Sequence, residues 1–170
     1  MIQLTDKQIA GYFQRSYTAV DGLWFVKLEE KHGFDVALEV DDEVWKAMPR
    51  IQARKLKSLT GLDRGIHGLF ECFTTKLSIE GFDYQAARDP DGGGFTITIT
   101  TCPWYDLLVK SDRVHLAPKI GSRICRTEYE VWASEFGDDI RLDLGYQICR
   151  GCSSCVVRFT KNSKPCACPA

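Results

Sequence analysis

The feature that most limits what this chain can fold into is a change of hydrophobic period near residue 81. Before it, apolar side chains recur every three to four residues; after it, they alternate. From Asp6 to His32 the set Ile9, Tyr12, Phe13, Tyr17, Val20, Trp24 and Leu28 marks one face of a helix, with Thr5 or Asp6 as the cap and Gly33 as the stop. A second helical pattern starts at Asp41-Asp42-Glu43 and carries Val44, Met48, Ile51, Lys55 and Leu59 on one face. Pro49 inside it predicts a kink or an early break. Ile66, Phe70, Phe73 and Leu77 mark a third helix.

Past residue 81, Phe82, Tyr84 and Ala86, a glycine-rich turn at Asp89 to Gly94, and then Phe95, Ile97 and Ile99 alternating with threonines predict a hairpin. Pro103 opens a short helix to Leu108, and Pro118 a longer one ending near Phe136. Ile140, Leu142, Leu144, Tyr146 and Ile148 then alternate as a strand. After a loop at Arg150 to Ser154, Cys155 to Phe159 returns as its partner. Two hairpins joined by a helical crossover form a four-stranded sheet with helices packed on it, so the expected fold class is α+β. The crossover makes the strand ending near Thr101 parallel to the one ending near Ile148. These elements read as a single domain over residues 1–160, mostly helical to residue 80 and sheet with crossover helices from 81, followed by a tail at 161–170.

A chain of 170 residues can bury one core without staples. Its net charge of −1 supplies no general attraction for nucleic acid or an anionic membrane. No window approaches the ~18 consecutive apolar residues of a membrane span, and the start shows no basic stretch followed by an apolar one. The expected location is therefore the cytoplasm, with no nucleic-acid or membrane partner.

In a reducing compartment, eight cysteines are poorly explained by structural disulfides and lean towards metal, redox or catalytic use. Cys72 stands apart from the others and reads as a small buried hydrophobe. The other seven all fall after residue 100. Parallel strands put Cys102 and Cys149 at one edge of the sheet, with Cys155 beside Cys149 across the hairpin. Cys125 lies on the crossover helix one turn from Glu128, so four thiols from separate segments converge on one point. That set suits zinc at about 2.3 Å per Zn–S bond, or an iron–sulfur cluster. Cys149-x2-Cys152-x2-Cys155 matches the first three ligands of a bacterial ferredoxin, but no Cys-Pro cysteine follows four residues later; Cys168-Pro169 is thirteen residues on. Reduced buried thiols or a redox pair are the alternative.

Two further constellations bear on function. Trp24, Trp104, Tyr129 and Trp132 either pack a core or line a pocket for an apolar or aromatic ligand, with Asp21 as an acid/base group on its wall. The plainer reading of Asp21, between Tyr17 and Phe25 at helical spacing, is a salt bridge to Arg15, Arg50 or Arg54. His115 and Cys102 would be the minimum pair for nucleophilic catalysis, without a local motif to support it. Hydrolase elbows, zinc-protease helices and phosphate-binding loops are absent from the sequence.

The residues Arg15-Ser16-Tyr17 through Phe25, Val44-Trp45, Gln52 to Lys55, Cys102-Pro103-Trp104, Glu128 to Ala133 and Ile148 to Gly151 resemble an uncharacterised family of small cytosolic proteins, found mainly in anaerobic bacteria and archaea. More distantly, the second half resembles the vinyl-4-reductase domain of the superfamily of ligand-binding domains in nitric oxide signalling and Golgi transport. The resemblance rests on its helix and hairpin order and on Cys149, Gly151 and Cys155 before an apolar strand. It implies a homodimer that encloses a small hydrophobic ligand and holds zinc through Cys125, Cys149 and Cys155, with Glu128 or Cys102 completing the shell. Cys152, Cys166 and Cys168 depart from that pattern and leave room for an iron–sulfur cluster. The end of the chain is also similar to aminothiazoline carboxylate hydrolase-like proteins. That similarity implies an alternative, a hydrolase using Cys102 or a metal-bound water, with Asp21 or Glu128 as acid/base.

Overall fold

The computed structural model of the chain describes residues 2–162. Cys166 and Cys168, and with them most of the expected tail, lie outside the described residues. The chain divides into two compact units, Met1–Val44 and Trp45–Ala170, and each is described by itself. The boundary falls inside a helix, where no change of composition marks it.

The first unit is helical. Helix α1 covers Asp6–His32. Its start is a capping box: the Gln8 N–H donates to the Thr5 hydroxyl oxygen (3.3 Å) while the Gln8 side-chain Oε1 accepts from the Thr5 N–H (2.9 Å). Gly33 ends it at φ +85°, a backbone geometry that side-chain-bearing residues rarely adopt, and donates its N–H to the Glu29 carbonyl. Helix α2, Phe34–Thr60, begins at once. The sequence places its start at Asp41, seven residues late, because Phe34 to Val40 carry no clean helical stripe. Pro49 removes one backbone donor yet does not end the helix, which runs on through Thr60.

The second unit holds helix α3 (Gly65–Glu80), strands β1 (Asp83–Arg88) and β2 (Gly94–Thr101), helices α4 (Pro103–Lys110) and α5 (Ala117–Phe136), and strands β3 (Ile140–Leu144) and β4 (Cys155–Lys161). The α+β class follows directly: four strands in the order β1-β2-β4-β3, with every ladder antiparallel. Strands β2 and β3 run in the same direction, as the crossover requires, but β4 lies between them. Phe95, Ile97 and Ile99 of β2 and Val157 and Phe159 of β4 turn inward and are buried. Phe73 of α3 meets Tyr129, Trp132 and Phe159 edge to face, with ring centroids 5.3 to 5.5 Å apart. Cys72 is fully buried beside them.

Strand β3 stops four residues before the alternation does. Gly145 and Tyr146 still exchange backbone hydrogen bonds with Val156, but Ile148–Arg150 form a 3-10 turn closed by Gly151 at φ +86°. Leu144 is the last residue of β3 in the ladder and pairs with Val157. Ile148 reaches the core from the turn instead of from a strand, so its apolar character imitates one more strand position.

Candidate thiol site and first-unit cavity

The end of the sheet where β2 finishes and β4 begins collects the cysteines. Cys155 opens β4 opposite Ile99 of β2, and two residues past Ile99 the chain leaves the sheet. Cys102 follows there as the N-cap of α4, with Pro103 at the first helical position. Cys149 sits in the 3-10 turn, and its loop folds back so that the Ile148 N–H donates to the Cys155 Sγ at 3.2 Å. Helix α5 supplies Cys125 and, one turn on, Glu128 and Tyr129.

Gly121 is what lets these segments meet. A Cβ on it would lie 2.6 Å from the Cys149 Sγ, 2.8 Å from the Cys149 Cβ and 3.9 Å from the Cys125 Sγ. Both sulfurs thus lie against one point on the surface of α5, and only a residue without a side chain leaves room for them. Cys102 and Cys155 are within electrostatic reach of Cys125, and Cys149 and Cys155 both feel Cys152 in the loop.

The thiols are held protonated. Burial pushes Cys102 up to about 11, while the backbone N–H groups of Tyr105 and Trp104 at the start of α4 act in the opposite direction. Burial is also the main cause that lifts Cys125 well above the ordinary thiol range, with the nearby Glu128 carboxyl adding to it. Cys149 and Cys155 are raised for the same first reason. Among the described residues, no three His, Cys, Asp or Glu side chains already stand in positions to hold a metal ion.

Behind the thiols lies a buried ionic network that sequence reading did not find. Lys76 of α3 donates to the Glu128 carboxylate and pairs with Glu80 at 2.9 Å, and Gln52 donates to Glu80 at 3.0 Å. The ammonium also sits 5.2 Å from the centre of the Phe82 ring. Burial raises the Glu128 pKa and Lys76 opposes that rise. The signal was present as Lys76 and Glu80 four apart in an apolar helix, a spacing that usually marks a solvated pair.

Of the expected ligand-contacting residues, Asp21 and Trp24 belong to the first unit and Trp104, Tyr129 and Trp132 to the second. Tyr129 and Trp132 are core residues: Trp132 is wholly buried and stacks on Phe136. Trp104 meets Trp45 edge to face at 5.5 Å. Trp24 does not pack a core, being 69% exposed. Together with Asp21 it lines a cavity of about 620 Å³ between α1 and the first part of α2. The salt bridge expected for Asp21 is not formed. Arg54 pairs bidentately with Glu135 (3.0 and 2.8 Å), and Asp21 makes no hydrogen bond or ion pair among the described residues. Burial pushes its carboxyl up to about 6. His115 is exposed on a 3-10 turn at Val114–Leu116, and no hydrogen bond among the described residues joins it to Cys102.

Fold and site together define an α+β protein with a half-buried thiol cluster at one end of an antiparallel sheet. The chain belongs to a family of unknown function, DUF6125, whose model matches residues 5–140. The matched stretch includes Asp21, Trp24, Cys102, Cys125 and Glu128, and ends before Cys149, Cys152 and Cys155. Comparison with curated proteins gave no match. Among the described residues, no helix is long and apolar enough to cross a membrane.

Proposed function

We propose that the protein is a metal-binding cytoplasmic module in which Cys102, Cys125, Cys149 and Cys155 ligate one ion and a small ligand binds separately, the whole acting as a sensor, carrier or accessory protein. The observation that carries this reading is Gly121, which brings Cys149 against Cys125 across α5. A tetrahedral site with 2.3 Å bonds needs sulfurs about 3.8 Å apart, so the side chains must rotate inward as the ion displaces their protons. The Ile148 N–H on the Cys155 sulfur supports the same reading, because hydrogen bonds to sulfur stabilise a thiolate once the proton has gone.

Zinc is favoured over an iron–sulfur cluster. The close approach of Cys149 to α5 suits a single ion better than a multi-iron core. Cys152 and Glu128 stand at the margin, as replacements for a missing ligand. The distant resemblance to zinc-holding vinyl-4-reductase-type domains points the same way, and it extends the proposal to a homodimer enclosing a small apolar or aromatic ligand. No geometric observation favours the hydrolase alternative, since Cys102 is a partly buried thiol with a raised pKa rather than a thiolate nucleophile.

Elemental analysis with an absorption spectrum of anaerobically purified protein tests the reading. We expect about one zinc per chain and no visible colour, with zinc lost in Cys125→Ser and in Gly121→Val while the helical signal persists. Broad absorption near about 400 nm with iron and sulfide would replace zinc by a cluster. Metal-free protein in which every thiol titrates would remove the proposal.

A further inference from the structure

The cavity of the first unit is not used by the thiol site. Its walls are almost wholly apolar: Tyr17, Val20, Trp24 and Phe25 on α1, Val40 and Val44 on α2. Two charged residues line it, Asp21 and Asp41, and both are acids; no lysine or arginine does. A carboxyl in apolar surroundings carries a desolvation cost that folding ordinarily offsets with a donor. Asp21 has none among the described residues, and burial without a counter-charge lifts its pKa to about 6, so it is mostly ionised at neutral pH. The faces of Trp24 and Phe25 beside it are surfaces on which a cation is stabilised. At about 620 Å³ the space falls within the range of small-molecule sites, roughly 300–1,000 Å³.

We propose that this cavity binds a small organic amine whose ammonium is received by Asp21 and whose aromatic or branched aliphatic body lies on Trp24 and Phe25. The inference rests on the reading that the protein binds a small ligand, and it names the class. A carboxylate ligand would meet two acids, and a hydrocarbon would leave Asp21 without a partner. An amine fits both the charge and the walls.

Three probes with one body and different heads test it on the full chain: naphthylmethylamine, naphthylmethanol and naphthoate, titrated calorimetrically near about pH 7.5, above the Asp21 pKa. The amine should bind at least about tenfold more tightly than the alcohol, the gain expected of a charged hydrogen bond, and naphthoate most weakly. Asp21→Asn should abolish the amine's advantage while leaving the alcohol within about twofold, which separates a lost charge from a lost fold. Equal binding of amine and alcohol, unchanged in Asp21→Asn, would overturn the amine inference and leave the small-ligand reading standing. Binding of none of the three would overturn both. If the chain is then a dimer that Trp24→Ala dissociates, the cavity wall is a contact between copies.

Discussion

In the second unit Phe73, Trp132 and Phe159 are shut away from solvent, whereas along the 27 residues of α1 in the first unit side chains are at most half-buried. The second unit is held by area removed from water. The helix of the first is specified locally, by the Thr5–Gln8 capping box, the Gly33 stop, Asp6 in its first turn and Lys31 and His32 in its last. Local signals decide where a helix begins and ends but stabilise it weakly, because most helical stability in proteins comes from packing one face. Tyr12, Phe13, Val20, Leu23 and Trp24 are each more than half exposed. An apolar stripe that packs no core remains available for binding.

Truncation at matched aromatic positions should break the symmetry between the units most sharply. Phe73→Ala removes a ring that touches three other rings, and we expect a loss of about 3–5 kcal/mol in denaturant unfolding. Trp24→Ala should change the same measurement by less than about 0.5 kcal/mol. Equal losses would mean that Trp24 is buried in solution and that the contrast is false.

Next in size is the buried network. Lys76→Met leaves the buried Glu128 carboxylate without its cation, which should cost about 3 kcal/mol at neutral pH. The Glu128 carboxyl, raised by burial, would then hold its proton more tightly folded than unfolded. Its contribution is therefore fully present below the unfolded carboxyl pKa and lost as pH rises through the folded one. Stability of the variant should recover on acidification relative to the parent, as pH-dependent unfolding curves would show. A deficit that does not shrink on acidification would assign Lys76 a packing role only.

The smallest effect belongs to the first unit. The Asp21 carboxyl is raised from 3.8 to about 6 by burial. Its stabilising contribution is thus complete below about pH 4 and lost as pH rises through about 6. Asp21→Asn should stabilise α1 by about 1–2 kcal/mol near neutral pH and by nothing near about pH 4, read as amide hydrogen exchange along that helix. A gain that persists in acid would tie it to helix propensity rather than to the desolvated charge.

Much of the fold was legible because its punctuation is chemical. Gly33 and Gly137 stop helices, Pro103 sits where α4 starts and Pro118 at the second position of α5, and alternation marks β1, β2 and β4. The errors have named causes. The end of β3 was misplaced because Ile148 serves the core from a turn. The start of α2 was missed because Phe34 to Val40 carry no clean helical stripe and only Gly33 separates the two helices. The segments that carry Cys102, Cys125 and Cys155 were readable, since these residues sit at ends or faces that periodicity defines. Gly121 was not readable as their enabling residue, because a glycine within a helix carries no mark of what passes over it.

The sequence alone determined the element order, the α+β class and the crowding of cysteines into the second half, for these depend on interactions between residues near one another along the chain. Only the tertiary structure decided that Cys149 lies on Gly121, that Lys76 is sealed between two glutamates, and that Asp21 faces an apolar wall without a partner among the described residues. Each of those depends on which distant surface closes over a side chain and excludes water, and desolvation is a property of the assembled fold rather than of any local stretch.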